Sequence, residues 1–144
     1  MSKYNLTDSL EDYLEAIYQI SHSESVARSR DIAARLEVNQ SSVTGALRAL
    51  KERGLINYEA YGFVTLTPQG KRIAEGVCQR HAILQRFLIQ VLGVDPREAT
   101  REACQMEHAV AEPVLKRLVD FLEFIEECPR AGKSWIEGFH YYSK

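Results

Sequence analysis

The chain has 144 residues and a formal net charge of −2, with 45% hydrophobic and 26% charged residues. This composition excludes a disordered chain and predicts one ordinary domain, or two small lobes that share a core. No apolar run approaches the roughly 20 residues that span a bilayer, and residues 1–7 lack the basic-then-apolar order of a secretion signal. Cys78, Cys104 and Cys128 cannot all pair and form no Cys-x-x-Cys clip, which predicts a reduced, cytoplasmic environment.

The charge is unevenly distributed along the chain. Residues 1–27 carry one Lys against five acidic residues, a balance of −4, and residues 28–72 carry eight basic and four acidic residues, a balance of +4. The remainder, residues 73–144, comes to −2. A basic middle flanked by acidic ends is typical of a compact nucleic-acid contact, although a solvated charged surface has the same pattern. The motif within the basic segment favours the first interpretation.

The first predicted helix begins at residues 7–9 and carries an apolar stripe at helical spacing, made of Leu10, Tyr13, Leu14, Ile17 and Tyr18. Glu11, Asp12 and Glu15 lie on the opposite side. Asp12 and Glu15 are three residues apart, so their carboxylates project from adjacent turns of one face. Taken alone, this pattern indicates a solvated acidic face.

Two short predicted helices joined by a tight turn occupy the first part of the basic segment. Ser29 is predicted to cap a helix that runs to Leu36, and residues 38–40 form the turn. Ser41 or Ser42 is predicted to cap the second helix. This helix has inward-facing apolar residues at positions i, i+4 and i+7, which are Val43, Leu47 and Leu50. The arrangement predicts a helix-turn-helix.

A predicted hairpin follows the helix-turn-helix. Gly54 stands where a left-handed residue would end the second helix. Residues 55–59 and 63–66 are predicted strands, with residues 60–62 as the turn between them. The hairpin makes the helix-turn-helix a winged one.

The leading end of the second helix offers short polar side chains, and basic residues flank both helices. Such groups hydrogen-bond to base edges and to phosphates. For each residue alone a capping or surface role explains the sequence equally well, but together they predict a DNA contact. Because Gly45 provides no long side chain, direct readout of bases is expected to be limited. The predicted DNA-binding residues are Arg28, Arg30, Asn39, Gln40, Ser41, Ser42, Thr44, Arg48 and Lys51.

The second half of the chain is predicted to be helical. Thr67 and Pro68 form a cap and a first-turn proline that open a long helix, and His81 falls within its apolar stripe, where it is either a packed core group or a metal ligand. Asp95 and Pro96 open another helix in the same way. Pro113 is predicted to end that helix and to start the next one. Four aromatic residues of the tail are predicted to pack: Trp135, Phe139, Tyr141 and Tyr142.

Cys104, Glu107 and His108 give the strongest indication of a metal site. They stand at i, i+3 and i+4, on one side of a predicted helix, and offer a thiol, a carboxylate and an imidazole. An ordinary polar face with a stray thiol remains the alternative. Together with His81 and the carboxylates of the first helix, the chain holds oxygen, nitrogen and sulfur donors suited to a transition-metal ion.

The order of these features resembles the diphtheria toxin repressor family of metal-activated transcriptional repressors, in its short two-domain form. The resemblance covers almost the whole chain and is carried by residues 11–18, 39–44, 66–70, 80–81 and 104–108. It implies a mainly α fold. Residues 1–72 would form a winged helix-turn-helix DNA-binding domain with a small β-hairpin wing, and residues 73–144 an all-helical metal-binding and dimerisation domain. The SH3-like third domain of longer relatives is not expected.

The resemblance also implies a homodimer that binds a palindromic operator in double-stranded DNA and represses metal-uptake genes when metal is replete. No enzymatic activity, organic substrate or membrane association is expected. The implied metal ligands are Asp12, Glu15, His81, Cys104, Glu107 and His108. Asp12 and Glu15 match the manganese branch of the family, whereas Cys104 matches the iron branch. The second, ancillary site of the iron branch is expected to be missing, since Gln85 and Thr100 replace its Glu and His.

The donor types indicate which metal the site would hold. Carboxylates favour Mn(II), whereas a thiolate favours Fe(II), Co(II) or Zn(II). The mixed set predicts Fe(II), with Mn(II) a close second and with Co(II), Ni(II) and Zn(II) able to bind in vitro. One alternative is a winged-helix regulator gated by redox chemistry or by an organic ligand. A di-iron carboxylate enzyme is disfavoured, because the chain lacks the paired Glu-x-x-His segments, a nucleophile motif and a Gly-rich phosphate loop.

Overall fold

The computed structural model describes residues 6–24, 26–59, 62–128 and 133–143. The chain divides into two compact units, Met1–Cys78 and Gln79–Lys144. This division falls inside one long helix, and the boundary after residue 72 stays a prediction. Helices dominate both units, which confirms the predicted mainly α fold.

The elements follow one another in the predicted order. The first unit contains α1 (Asp8–Glu24), α2 (Ser29–Leu36), α3 (Gln40–Glu52), β1 (Ile56–Tyr58), β2 (Val64–Leu66) and the first part of α4 (Pro68–Arg86). The second unit contains the rest of α4, a π-helical segment (Phe87–Val91), α5 (Pro96–Met106), α6 (Glu112–Glu127) and α7 (Lys133–Tyr142). Over the residues described, none of these helices has the length and apolar character needed to cross a bilayer.

The core of the first unit is formed by the apolar stripes that the sequence predicted. Leu14 of α1, Ile32 of α2, Leu47 of α3 and Val64 of β2 are all fully buried in one cluster. Complete burial of such a side chain contributes about 1.5–3 kcal/mol relative to leaving it in water. Shared burial therefore holds α1 against the helix-turn-helix.

The predicted wing is an antiparallel hairpin in which Ile56 pairs with Leu66. Each strand has three residues, fewer than predicted. The backbone N–H of Val64 also donates to the carbonyl of Ala27 at 2.8 Å, which adds an isolated bridge beside β2. The turn residues 60–61 lie outside the described residues. A winged helix-turn-helix is thus present in the first unit.

Two glycines fix the connection between α3, the wing and α4. Gly54 has a φ of 69°, as the predicted left-handed end of α3 requires. A β-carbon at Gly70 would collide with the carbonyl oxygen of Leu55. That same oxygen accepts a hydrogen bond from the N–H of Thr67 at 3.1 Å, and the Thr67 hydroxyl donates to the Gly54 carbonyl at 2.8 Å. Only glycine at position 70 allows the start of α4 to lie this close to the start of the wing.

Two of the predicted helix caps are confirmed. The Thr67 hydroxyl accepts the N–H of Gly70 at 3.1 Å, and α4 begins at Pro68. The Asp95 carboxylate accepts the N–H of Arg97 at 3.0 Å, with Pro96 in the first turn of α5. In both cases a proline marks the first helical turn, where its missing N–H costs nothing.

The predicted caps of the helix-turn-helix are wrong. Arg28 occupies the cap position of α2 and makes no side-chain capping bond, because Ser29 already belongs to the helix. Asn39 caps α3, and its Oδ1 accepts the N–H of Ser42 at 2.8 Å. Both serines predicted as caps of α3 lie inside its first turn. The sequence offered several residues with capping ability in a row, and the position of the turn decided which one serves.

The end of α5 and the aromatic tail also differ from the predictions. α5 ends at Met106, not at Pro113, because the N–H groups of Ala109 and Val110 both donate to the Met106 carbonyl and close a turn. Pro113 instead lies in the first turn of α6. The four tail aromatics, predicted to pack, are exposed: Trp135, Phe139, Tyr141 and Tyr142. Of the tail aromatics, Trp135 makes an edge contact with Phe121, with ring centroids 6.5 Å apart.

The second unit has a smaller core than the first. Its buried members are Leu84, Leu88, Ala99, Ala103 and Leu115. The two alanines lie on α5, and their small side chains let this helix pack closely against the π-helical segment that continues α4. This packing brings the end of α5 next to His81 of α4.

Candidate metal centre and DNA-facing surface

His81, Cys104 and Glu107 converge in the second unit. One donor atom from each of them lies within 4.8 Å of the others. His81 Nδ1 is 2.8 Å from Glu107 Oε2, and Cys104 Sγ is 3.7 Å from His81 Nδ1. The structure therefore brings together a nitrogen donor from α4, a sulfur donor from α5 and an oxygen donor from the turn after α5, a combination suited to a transition metal.

Glu107 is the buried member of this group. Its side chain has no exposed surface, and it lies in the turn that follows α5. Among the side chains that the structure describes, its Oε1 is a buried oxygen without a hydrogen-bond partner, although His108 Nε2 lies 3.5 Å away. A buried oxygen of this kind is costly unless it is paired. A cation bound beside it would remove that cost, so the residues present fit a metal ion.

Arg80 secures the turn that carries Glu107 and His108. Its Nε donates to the Glu107 carbonyl at 2.8 Å, a second nitrogen donates to the Val110 carbonyl, and Nη1 pairs with Glu112 Oε1 at 3.2 Å. One guanidinium thus satisfies two backbone carbonyls just past the end of α5, where helical partners are missing. In the sequence, Arg80 stands out only as part of the Arg80-His81 pair that carries the family resemblance. Its place beside His81 on α4 was the signal that could have identified it.

The two remaining acidic candidates lie on α1, in the first unit. Asp12 is half-buried, and Glu15 is only 9% exposed. The interpretation of this side of α1 as a solvated acidic face is therefore wrong for Glu15, whose side chain is buried. Glu15 Oε1 accepts a hydrogen bond from Gln19 Nε2 at 3.2 Å.

The nearby tyrosines of α1 do not add negative charge. Burial raises the pKa of Tyr13. Burial, followed by the carboxylate of Glu75, raises the pKa of Tyr18. Both phenols are consequently neutral at physiological pH, and the carboxylates provide the negative charge of α1.

Gln85 and Thr100 are occupied with each other. Gln85 Nε2 donates to Thr100 Oγ1 at 2.8 Å, and the Thr100 hydroxyl donates to the Pro96 carbonyl at 2.8 Å. A neutral amide and a hydroxyl are poor ligands for a transition metal compared with carboxylate and imidazole. The two side chains thus bind each other, and the absence of an ancillary metal site at these positions stays a prediction.

The predicted DNA-binding residues of the first unit are all exposed. They are Arg28, Arg30, Asn39, Gln40, Ser41, Ser42, Thr44, Arg48 and Lys51. Asn39 uses its Oδ1 for the α3 cap and for the Ser41 hydroxyl at 2.7 Å, which leaves its NH2 group for other partners. The hydroxyl of Thr44 donates to the Gln40 carbonyl of its own helix at 3.0 Å.

An open groove of about 690 Å³ lies between the wing and the starts of α2 and α3, lined by Arg28, Ser29, Arg30, Gln40, Tyr58, Gly62 and Phe63. The Arg28 guanidinium stacks over the Phe63 ring, 5.0 Å from its centroid. This contact fixes a positive charge at the mouth of the groove. Phe63 was not among the predicted DNA-binding residues, because a cation–π contact between distant positions leaves no periodic signal.

Comparison with known proteins is consistent with this geometry. The family model for the iron dependent repressor, N-terminal DNA binding domain, matches residues 5–64, and that for its metal binding and dimerisation domain matches residues 67–136. The chain belongs to the diphtheria toxin repressor family. Members of this repressor family are metal-dependent transcriptional repressors, which confirms the prediction of a transcriptional regulator that is not an enzyme.

Two relatives illustrate the similarity in sequence. The HTH-type transcriptional regulator MntR of Listeria innocua is 36% identical over 131 residues, which cover 91% of this chain and 92% of that protein. An uncharacterized HTH-type transcriptional regulator of Methanocaldococcus jannaschii is 36% identical over 119 residues, which cover 82% and 95%. Both alignments run through the helix-turn-helix and into the second unit.

Solved structures of the repressor family share the fold. A manganese-dependent transcriptional repressor in complex with manganese has a TM-score of 0.74 and 34% identity over 80% of this chain. The T. acidophilum IdeR structure has a TM-score of 0.71 and 26% identity over 78% of this chain. The present chain spans 53% of the length of each of these proteins.

Proposed function

We propose that this protein is a metal-activated repressor that binds a palindromic operator as a homodimer when it is loaded with Fe(II) or Mn(II). Its targets would be genes of metal uptake and homeostasis. The observation that carries the proposal is the convergence of His81, Cys104 and Glu107, with the buried Oε1 of Glu107 left unpaired among the described groups, in a chain that also carries a winged helix-turn-helix. Because the partner would be chromosomal DNA, we expect the protein to act in the cytoplasm.

The proposed ligand set adds Asp12, Glu15 and His108 to these three residues. Support for Asp12 and Glu15 comes from the resemblance to the family, and Glu15 is in addition one of the few buried carboxylates among the described residues. Support for His108 comes from its position 3.5 Å from Glu107 Oε1, with only 5% of its side chain exposed. The set combines hard oxygen, imidazole and thiolate donors.

Charge provides the basis of the switch. The three carboxylates of the ligand set, and Cys104 wherever its thiol is ionised, repel one another, and a bound divalent cation supplies the positive charge that cancels this repulsion. The ligands come from both halves of the sequence, so one metal ion bound by all of them would limit the motion of the winged helix-turn-helix. A preference of a few kcal/mol between two states is sufficient to shift DNA occupancy strongly.

The exposed surface around α3 is the proposed DNA contact. Short polar side chains at the start of α3 suit base edges and phosphates, and Arg28, Arg48 and Lys51 suit phosphates. A homodimer would present two such surfaces to half-sites about 34 Å apart, and its two-fold symmetry would match a palindromic operator. The description of the second matched domain as a dimerisation domain supports this arrangement.

We propose Fe(II) as the favoured ion, with Mn(II) a close second. The thiolate of Cys104 is the reason, because sulfur favours Fe(II) over Mn(II), while the carboxylates suit both. Solved relatives named for manganese and family models named for an iron dependent repressor are consistent with either ion. Co(II), Ni(II) and Zn(II) would also bind in vitro.

Fluorescence anisotropy on DNA from upstream of the protein's own gene tests this function. The titration is run without oxygen and at fixed salt, since phosphate contacts make affinity steeply salt-dependent. Tight binding with Fe(II) or Mn(II), and weak binding with chelator, is the expected result. Equal binding with chelator would remove the metal switch. Loss of binding on peroxide treatment, without metal dependence, would favour the redox-gated alternative.

A further inference from the structure

A chain of three side chains in the first unit leads from Glu15 to the helix-turn-helix. Gln19 lies one turn after Glu15 on α1 and donates through Nε2 to Glu15 Oε1 at 3.2 Å. The amide oxygen of Gln19 accepts hydrogen bonds from the Arg35 guanidinium, through Nε at 3.1 Å and through Nη2. Arg35 belongs to α2, so this chain crosses from α1 to the first helix of the helix-turn-helix.

The three groups can be connected in only one orientation. A carboxylate accepts hydrogen bonds and a guanidinium only donates them, so the amide between them must direct its NH2 to Glu15 and its oxygen to Arg35. The reverse orientation would place two acceptors together at one end and two donors together at the other. Arg35 therefore determines the orientation of Gln19, and Gln19 in turn restricts the carboxylate of Glu15.

We propose that Gln19 is a positioning residue that holds the carboxylate of the metal ligand Glu15 in one orientation and couples that orientation to Arg35 of the helix-turn-helix. The inference rests on the proposed function, in which Glu15 is a ligand. A carboxylate has about four lone-pair sites, so accepting the Gln19 hydrogen bond is compatible with ligating a cation. Partners that hold a ligating carboxylate in place typically change metal affinity by about 10–100-fold when they are removed.

Thermodynamic linkage makes this relay act in both directions. If the position of Arg35 affects how tightly Glu15 holds a metal ion, then metal binding must affect the position of Arg35 to the same degree. α2 and α3 share the core of the first unit, so a shift in the position of Arg35 affects both helices, which carry the proposed DNA contact. The relay thus predicts that an arginine on the helix-turn-helix influences metal affinity even when DNA is absent.

A Co(II) titration of the full chain without DNA, followed by visible absorption, tests the relay. We expect Gln19→Met to raise the Co(II) dissociation constant about tenfold and Arg35→Met to raise it about threefold, since Arg35 acts only through the intervening amide. The double variant should match Gln19→Met alone, because one broken link already interrupts the relay. Arg53→Met is the matched control, since this arginine is also exposed and its hydrogen bond to the Ala49 carbonyl stays within α3.

The outcomes separate the relay from the proposed function. Wild-type affinity in Gln19→Met, or additive losses in the double variant, would overturn the relay and leave the metal switch standing. A loss in Arg53→Met equal to that in Arg35→Met would also overturn it, because the effect would then be one of net charge. Failure of the wild-type protein to bind Co(II) would overturn both. Circular dichroism and urea unfolding in chelator verify that each variant is folded, and the exposed Arg35 provides a test if Gln19→Met is not.

Discussion

Replacement of Glu107 by Gln should have opposite effects on the metal-free and the metal-bound protein. Glu107 is fully buried, with Oε2 2.8 Å from His81 Nδ1 and Oε1 unpaired among the described groups. Gln has the same shape without the negative charge, and its NH2 group can donate to a neutral His81. An unsatisfied buried acceptor costs about 1–3 kcal/mol when it is neutral and more when it is charged, so the amide oxygen left at the Oε1 position costs less than the carboxylate oxygen does. We therefore expect the free energy of unfolding in chelator to stay equal or to rise by at most about 2 kcal/mol.

The stabilisation by metal should be lost in the same variant. At a free metal concentration of 100 times the dissociation constant, binding to the native state stabilises a protein by about 2.7 kcal/mol. If the loss of this ligand weakens binding about 100-fold, the same metal concentration contributes only about 0.4 kcal/mol by the same relation. The change in metal-dependent stability is thus expected to be about 2 kcal/mol, which a urea titration resolves.

Urea unfolding with chelator and with Co(II), under identical conditions, measures both effects. Glu102→Gln is the matched control, because its side chain is exposed and lies on α5, in the same region of the second unit. The control should retain the full stabilisation by Co(II). If Glu107→Gln keeps that stabilisation, or destabilises the protein in chelator as much as an ordinary core substitution does, then the buried carboxylate is a structural group and our reasoning is wrong.

Three further substitutions test separate features. Cys104→Ala should leave the fold intact, since this side chain is exposed, but should weaken metal-dependent DNA binding and abolish any sulfur-to-Co(II) absorption band; unchanged metal dependence would contradict its role. Arg80→Met should weaken Co(II) binding about tenfold by releasing the turn that Arg80 holds. Arg86→Met, on the same helix, removes a more exposed ion pair with Glu126 and should leave Co(II) binding unchanged; calorimetric titration measures both affinities. Gly70→Ala should lower the free energy of unfolding by about 1–3 kcal/mol through its collision with the Leu55 carbonyl, and an unaltered urea midpoint would show that the backbone yields.

Local signals in the sequence were sufficient for the element order and for the donor types. Apolar spacing gave the stripes of α1 and α3, and the Thr67–Pro68 and Asp95–Pro96 pairs marked the starts of α4 and α5. These signals act over one or two helical turns, where the physics of capping and burial is local. The resemblance in family motifs, residue by residue, then supplied the candidate ligands.

Local signals could not decide which of several neighbouring residues caps a helix, or where a helix ends. Asn39, Ser41 and Ser42 can all cap a helix, and only the path of the preceding turn selected Asn39. The end of α5 at Met106 was likewise hidden, because the hydrogen bonds from Arg80 that support the following turn connect positions 27 or more residues apart. Long-range bonds of this kind leave no periodic trace in the sequence.

The sequence by itself determined that this chain forms helices around a winged helix-turn-helix and carries carboxylate, imidazole and thiol donors, because those properties belong to individual residues and their near neighbours. Only the tertiary structure decided that Glu107 is buried beside His81 with its other oxygen unpaired among the described groups, and that Glu15 is connected through Gln19 to Arg35. Burial and partner choice depend on which helices meet, and helix packing sums many weak contacts between residues far apart in the chain. The strength of a metal ligand depends on those surroundings as much as on its identity.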